Sequence, residues 1–361
     1  LIADQKEYIA SITGLILNVV SYLAIILLVT WEQNYLLALG IGTVTEVVLN
    51  IWISWYVEQK YPFLRQRRKE KSTSSLTKRI VRDLKSLFIS RISEKMLYCT
   101  DNLIISGFIG VGTVGRYANY CMITQAISNI LTILANTIQP TVGDYFTEKN
   151  RQRNYEILRQ LTFGFFCIAS VVSVGLFSLI TPFVRDIWLG PSYELGWGIT
   201  VFCIVVLLVR IMGLPLSLVM GVTGLFEKEK NVGASSALLN LIVSLALVKP
   251  YGMAGVLLGT LLSYLLQILY RYIIYFRDFL EMPGEALRYA QDIGEYLAVI
   301  AGEVLLMQKI VPLIYGAGGM LLFCVCFLLC IAIPLLLDLV IFGRGWRLQS
   351  IVTMVKGMRK A

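Results

Sequence analysis

The apolar positions of this chain cluster into stretches of roughly twenty residues, broken by short polar connections. About twenty apolar residues, rising 1.5 Å each along a helix, cross a hydrocarbon layer of about 30 Å. Ten such stretches are expected to span: Tyr8–Thr30, Tyr35–Val57, Leu84–Ile109, Tyr117–Pro140, Tyr155–Thr181, Leu195–Val222, Val232–Val248, Met253–Phe276, Ile293–Leu313 and Gly318–Phe342. The seventh is short for a full crossing, and its start can lie nearer Lys228. The pattern predicts an all-α polytopic membrane bundle of about ten spans.

The third stretch departs most from a plain apolar run. Between Leu87 and Gly110 it carries Arg91, Glu94, Lys95 and Asp101. A charge at the centre of a membrane helix costs about 2.5–3.5 kcal/mol on insertion scales, so it faces a partner or a wet cavity. Arg91, Lys95, Tyr98 and Asn102 step by four, three and four and therefore share one helix face. The fourth span has a stripe of its own, Gln125, Asn129, Thr132, Asn136 and Gln139, flanked by Ser128 and Thr137. Such a stripe either lines a wet pathway or bonds to neighbouring helices, where an interhelical hydrogen bond averages about 0.6 kcal/mol.

Composition agrees with the spans. Of 361 residues 57% are hydrophobic and 15% charged, against about 25% charged in soluble domains. Histidine is absent, which removes imidazole general-base chemistry and histidine metal sites. The seven cysteines all lie in apolar runs and read as small packing residues; Cys324, Cys326 and Cys330, with no acidic neighbour before Asp338, are not read as a metal site. No metal or cofactor is expected. No basic segment followed by a cleavable apolar stretch opens the chain, so no signal peptide is read.

Charge sets an expected orientation. With the amino end in the cytoplasm, the inner connections and ends hold 25 of the 32 lysines and arginines, the outer connections hold 4, and Arg91, Lys95 and Arg210 lie within spans. The positive-inside rule then puts both ends in the cytoplasm and accounts for the net charge of +9 without nucleic acid. The longest polar connection, Glu58–Lys85, is strongly basic; it reads as a topology signal, an attraction to anionic lipid, or both.

A faint repeat is visible. Asn18 in the first span and Asn240 in the seventh are each followed, one span later, by a Gly-Thr pair, Gly42-Thr43 and Gly259-Thr260, then by Asn50 and Gln267. Duplicated units of this kind are common in transporters. The expected division is 1–57 as the last two helices of one lobe, 58–83 as a basic loop, 84–290 as a complete six-helix lobe, and 291–361 as two further helices with a basic tail.

Two chemistries fit the intramembrane charges. Arg91, Lys95 and Arg210 suit an anionic substrate, since arginine offers a fixed fork of donors and lysine a point charge; Arg91 and Lys95 can instead snorkel to an interface. Asp101, with Glu94 beside the same stripe, suits ion coupling or a structural ion pair, with Arg210 one candidate partner. Asn102, Gln125, Asn129 and Asn136 complete the candidate substrate-binding set. Glu46, Glu295, Glu303 and Asp338 read as interface or packing-seam residues, and Gly213-Leu214-Pro215 as a plausible bend.

Several stretches resemble the polysaccharide flippases of the multidrug/oligosaccharidyl-lipid/polysaccharide exporter superfamily: DQKEYI (Asp4–Ile9), EQKYPFL (Glu58–Leu64), TDNLIISGFIGVGTVGRYANY (Thr100–Tyr120), IQPTVGD (Ile138–Asp144) and WLGPSYELG (Trp188–Gly196). The block from Thr100 to Tyr120 is the most specific. The resemblance implies a MATE-like arrangement of two six-helix lobes plus two helices. It implies transfer of a polyprenyl-pyrophosphate-linked oligosaccharide from the inner to the outer leaflet of a bacterial or archaeal cytoplasmic membrane, through a central cationic cavity. Coupling to protons or sodium is inferred for relatives. Expected partners are membrane lipids, the lipid-linked oligosaccharide and the polysaccharide polymerase machinery, with no nucleic acid. The likeness begins where a fifth helix of that pattern would stand, so the resemblance implies a chain without the pattern's first four helices. Two other readings stand beside this one: a small-molecule exporter, which favours a cavity richer in carboxylates than in arginines, and a membrane-embedded glycosyltransferase or polymerase, against which the short outer connections argue.

Overall fold

The computed structural model describes residues 7–32, 35–61, 99–146, 150–316 and 318–343. Among them every regular element is a helix, and nine helices are long and apolar enough to cross a membrane. The protein is a multi-pass helical membrane bundle. The helices are α1 (Glu7–Glu32), α2 (Tyr35–Lys60), α3 (described over 99–108), α4 (Val111–Tyr145), α5 (Arg151–Pro182), α6 (Trp197–Val222), α7 (Phe226–Tyr251), α8 (Met253–Ile273), α9 (Pro283–Tyr315) and α10 (Met320–Phe342). Most of the third expected span, including its start, lies outside the described residues. The seventh starts at Phe226, ahead of the apolar run, because the helix carries its polar first turns into the span.

The chain divides into two compact units, Leu1–Arg79 and Ile80–Ala361. In the first, α1 and α2 pack on each other and leave most of their apolar side chains outward; Leu15 and Trp31 are 66% and 86% exposed. In a bilayer such a surface meets lipid tails, which are as apolar as leucine.

The second unit is built around α5 and α6. Of their most apolar windows 56% and 50% are buried, against 6% for α2. α5 packs against α6 on one side and α9 and α10 on the other; α6 also meets α4 and α8. Asn150 caps α5, its side chain accepting from the Arg153 backbone N–H at 3.0 Å. Aromatic rings fill the seam between α5, α9 and α10: Phe166 stacks on Tyr296 with centroids 4.4 Å apart, and Phe342 meets both edge-on. Polar pins fix the register of α5 and α9. Arg159 grips Asp292 with two hydrogen bonds of 2.6 and 3.0 Å, and the Thr162 and Tyr289 hydroxyls lie 3.1 Å apart. Tyr120 on α4 accepts from the Leu195 backbone N–H at 3.2 Å and holds the loop before α6. α5 and α8 each widen at their ends into π-helical turns, Phe183–Trp188 and Ile274–Leu280.

α7 and α8 form a tight hairpin joined at Gly252, whose φ of 58° lies where residues with a Cβ are strained. Along it, Gly255 faces the Leu247 backbone carbonyl and Gly259 faces Ser244 so closely that a Cβ at either glycine would collide. Small residues bring these two backbones together, the usual device for joining membrane helices. α6 runs unbroken through Gly213-Leu214-Pro215; there Gly213 admits the Ile268 side chain of α8.

Candidate functional site

The close α7–α8 approach builds a polar chain inside the second unit. Thr260 follows Gly259, so its hydroxyl reaches across to α7, where Asn240 donates to it from Nδ2 at 2.9 Å. Thr260 in turn donates to Asp101 Oδ2 on α3 at 2.7 Å. Four residues on from Asn240, the Ser244 hydroxyl donates to the Val256 carbonyl at 3.2 Å. Asp101, Asn240, Ser244 and Thr260 are all buried. Asp101 Oδ1 is buried with no hydrogen-bond partner among the described residues. Leaving a buried acceptor unsatisfied costs about 1–3 kcal/mol, more if it is charged. The Asp101 carboxyl and the Thr260 hydroxyl are oxygen groups of the kind a hard cation selects.

This chain opens on a cavity of about 90 Å³ among α3, α4, α6 and α8. Arg210 of α6 lines it. Its Nη1 donates to the Ser128 hydroxyl of α4 at 3.1 Å, and its guanidinium carbon lies 5.6 Å from the centre of the Tyr264 ring, in cation–π range. The Asp101 carboxyl and the Arg210 guanidinium therefore line one cavity. The volume admits several waters or a partly hydrated ion; pockets for drug-sized molecules run to about 300–1,000 Å³.

The candidate residues distribute unevenly. Asn102, Gln125 and Arg210 line this cavity together with Asp101. Asn136 lines a second, more open pocket with Gln139, Pro140, Gly143 and Val222. Asn129 lines neither of these two pockets and is exposed. Arg91, Glu94 and Lys95 lie outside the described residues. The α4 stripe is split because α4 packs through Ser128, Leu131, Ala135 and Val142. At about 100° per residue, that face lies roughly a quarter-turn from the stripe, so the stripe borders the packed seam and meets it only at its two ends.

Thr260, Tyr264, Tyr117 and Asn240 join the site without having been singled out for chemistry. A signal existed for two of them: Asn240 and Gly259-Thr260 are the second copy of the sequence repeat. The first copy builds nothing similar. Thr43 is exposed, its hydroxyl donating to the Leu39 carbonyl of its own helix, and a Cβ at Gly42 would meet open space.

Residues 5–146 match a protein-family model described as polysaccharide biosynthesis protein. The matched segment contains α1, α2, Asp101, Asn102 and Gln125. Comparison with curated proteins finds no match.

Proposed function

We propose that this chain is a membrane transporter that moves a polyprenyl-pyrophosphate-linked oligosaccharide from the cytoplasmic to the outer leaflet, for the assembly of cell-surface polysaccharide. The observation that carries the reading is a polar cavity, bearing both charge signs, inside a bundle of apolar spans whose first 142 residues after Gln5 inclusive match a polysaccharide biosynthesis family. Arg210, together with Arg91 and Lys95, is assigned to the pyrophosphate. Guanidinium and ammonium groups supply the charge-assisted hydrogen bonds an anion needs in a low-dielectric setting. Asp101, Thr260 and Asn240 are assigned to a coupling cation, sodium or a proton, whose binding completes the unsatisfied carboxylate. A cavity of about 90 Å³ holds such an ion and its water but not a sugar head group. The cargo therefore requires a wider arrangement of these helices, as alternating access demands. The distribution of lysine and arginine supports two cytoplasmic ends.

The test uses the native strain with the gene deleted, restored with its full coding region, and restored with Asp101→Asn. Lipid-linked oligosaccharide is quantified on each leaflet by glycosidase accessibility and mass spectrometry. Accumulation on the cytoplasmic leaflet, relieved by the restored gene and not by Asp101→Asn, is expected. An unchanged leaflet distribution with drug sensitivity instead would replace this reading with small-molecule export. That alternative draws on the Tyr117 and Tyr264 rings beside Asp101, which suit an organic cation. Loss of the oligosaccharide itself would favour an enzyme.

A further inference from the structure

The seam between α5, α9 and α10 contains two carboxyl groups that the transport reading does not use. Glu303 on α9 and Asp338 on α10 are 3% and 4% exposed, although both sit inside spanning helices. Ser170 on α5, fully buried, donates to Glu303 Oε2 at 2.6 Å. The other three oxygens, Glu303 Oε1 and both of Asp338, are buried and have no hydrogen-bond partner among the described residues. Asp338 lies within electrostatic range of Glu303 and near the same Ser170 that bonds it, and Cys167 of α5 lies within range of both acids.

No described cation on these three helices is placed to offset two negative charges. Arg159 stands eleven residues before Ser170, about 16 Å along the helix, and is engaged by Asp292. Lys309 on α9 is exposed. The other buried titratable side chains on these three helices are Tyr155 on α5, Tyr289, Tyr296 and Tyr315 on α9 with Asp292 held by Arg159, and Cys330 and Cys326 on α10, the two cysteines lying two and three turns from Asp338. An ionised pair here would combine like-charge repulsion with the loss of hydration of both groups. A metal ion would need more ligands: among the described residues no group of three carboxylate, cysteine or histidine side chains is arranged to hold one. A proton needs only a carboxyl oxygen to hold it and a neighbouring acid that favours its neutral form.

We propose that Glu303 and Asp338, braced by Ser170, form an intramembrane proton-binding site, separate from the Asp101 cavity, that holds one proton between the two carboxyl groups. The bound proton removes one charge and turns an acceptor into a donor for its neighbour, so that α9 and α10 close on α5. Release of the proton would leave two like charges in the seam and loosen the same three helices.

The site is tested by infrared spectroscopy on the full chain in lipid nanodiscs, with no cargo needed, so its outcome is independent of the transport reading. Glu303 is the only wholly buried glutamate among the described residues. Labelling all glutamates with carbon-13 in the unaltered protein, or all aspartates in the Asp101→Asn variant, therefore reports whether a protonated carboxyl of either kind is present. The expected result is a protonated-carboxyl band at neutral pH that shifts with one of these labels and disappears in both Glu303→Gln and Asp338→Asn. The new amide in each variant donates to the surviving carboxylate and ends the need for a shared proton. Absence of any such band under both labels, with Glu303 and Asp338 intact, overturns the proposal without recourse to the Glu303 and Asp338 variants. A band that vanishes when sodium replaces choline at constant pH also overturns it, in favour of a sodium site.

Discussion

Thr260→Val removes one hydroxyl from the centre of the Asp101–Thr260–Asn240 chain and keeps the branched shape of the side chain. The hydroxyl makes two hydrogen bonds, donating to Asp101 at 2.7 Å and accepting from Asn240 at 2.9 Å. Hydrogen bonds to charged groups contribute about 1.5–3 kcal/mol in soluble proteins. In membrane bundles the measured average falls to about 0.6 and the maximum to about 1.7 kcal/mol, because the unfolded chain also finds partners in lipid. With two bonds lost, and an Asn240 amide and an Asp101 oxygen both left unsatisfied, the expected destabilisation is about 1–3 kcal/mol. The measurement is reversible unfolding of the protein in bicelles. Thr260→Ser, which keeps the hydroxyl, is the control and should recover most of the loss. A double-mutant cycle of Thr260→Val with Asp101→Ala should return a coupling of about 1–2 kcal/mol, since directly bonded residues do not act additively. Additivity within about 0.5 kcal/mol would refute the reasoning, as the 2.7 Å contact would then contribute nothing that depends on both partners.

Gly255→Ala should destabilise the α7–α8 hairpin by about 1–3 kcal/mol, read as a lowered melting temperature, because its Cβ would press on the Leu247 backbone carbonyl, which cannot rotate away. Gly259→Ala should cost less in a Ser244→Ala background than alone, since the first atom met is the Ser244 hydroxyl and the next is the Asn240 carbonyl oxygen at 3.1 Å. Arg159→Met leaves Asp292 buried without its bidentate partner and should cost about 3–5 kcal/mol, whereas Arg159→Met with Asp292→Leu should recover most of it, because removing both charges also removes their desolvation cost; equal melting temperatures for single and double variants would count against this.

The existence of the spans was legible because each needs only a run of apolar residues, and α1, α2, α5, α6, α8 and α10 lie within a few residues of their expected ends. Their surroundings were not legible. α2 and α5 both read as apolar spans, yet one is 6% and the other 56% buried over its most apolar window. In a membrane, lipid and a neighbouring helix are equally apolar, so hydropathy cannot separate them. What does separate them is the placement of small and polar residues. Gly255 and Gly259 mark the α7–α8 contact, and Ser170, Arg159 and Thr162 mark the face of α5 that meets α9.

Periodicity found the polar faces but could not name their partners. For Asp101 the spacing left ion coupling and a structural ion pair open, with Arg210 one candidate partner. The two do line one cavity, but the hydrogen bond Asp101 makes is to the Thr260 hydroxyl, 159 residues away in sequence. A spacing rule reaches three or four residues along one helix; it carries no information across a bundle. The repeat did carry such information, since Asn240 and Thr260 stand in its second copy, where Gly259 meets Ser244 and the Asn240 backbone, whereas Gly42 of the first copy faces open space. Glu303 and Asp338 illustrate the same limit from the other side. Each is a lone acid in an apolar run, and each alone suits a packing seam; only the packing of α9 and α10 on α5 buries both and leaves three of their four oxygens unsatisfied. In a chain this apolar the energetic weight of a polar residue depends on what closes over it. The candidate chemistry therefore sits where small residues let helices approach, and the polar stripe of α4 enters it only at the ends that reach such places.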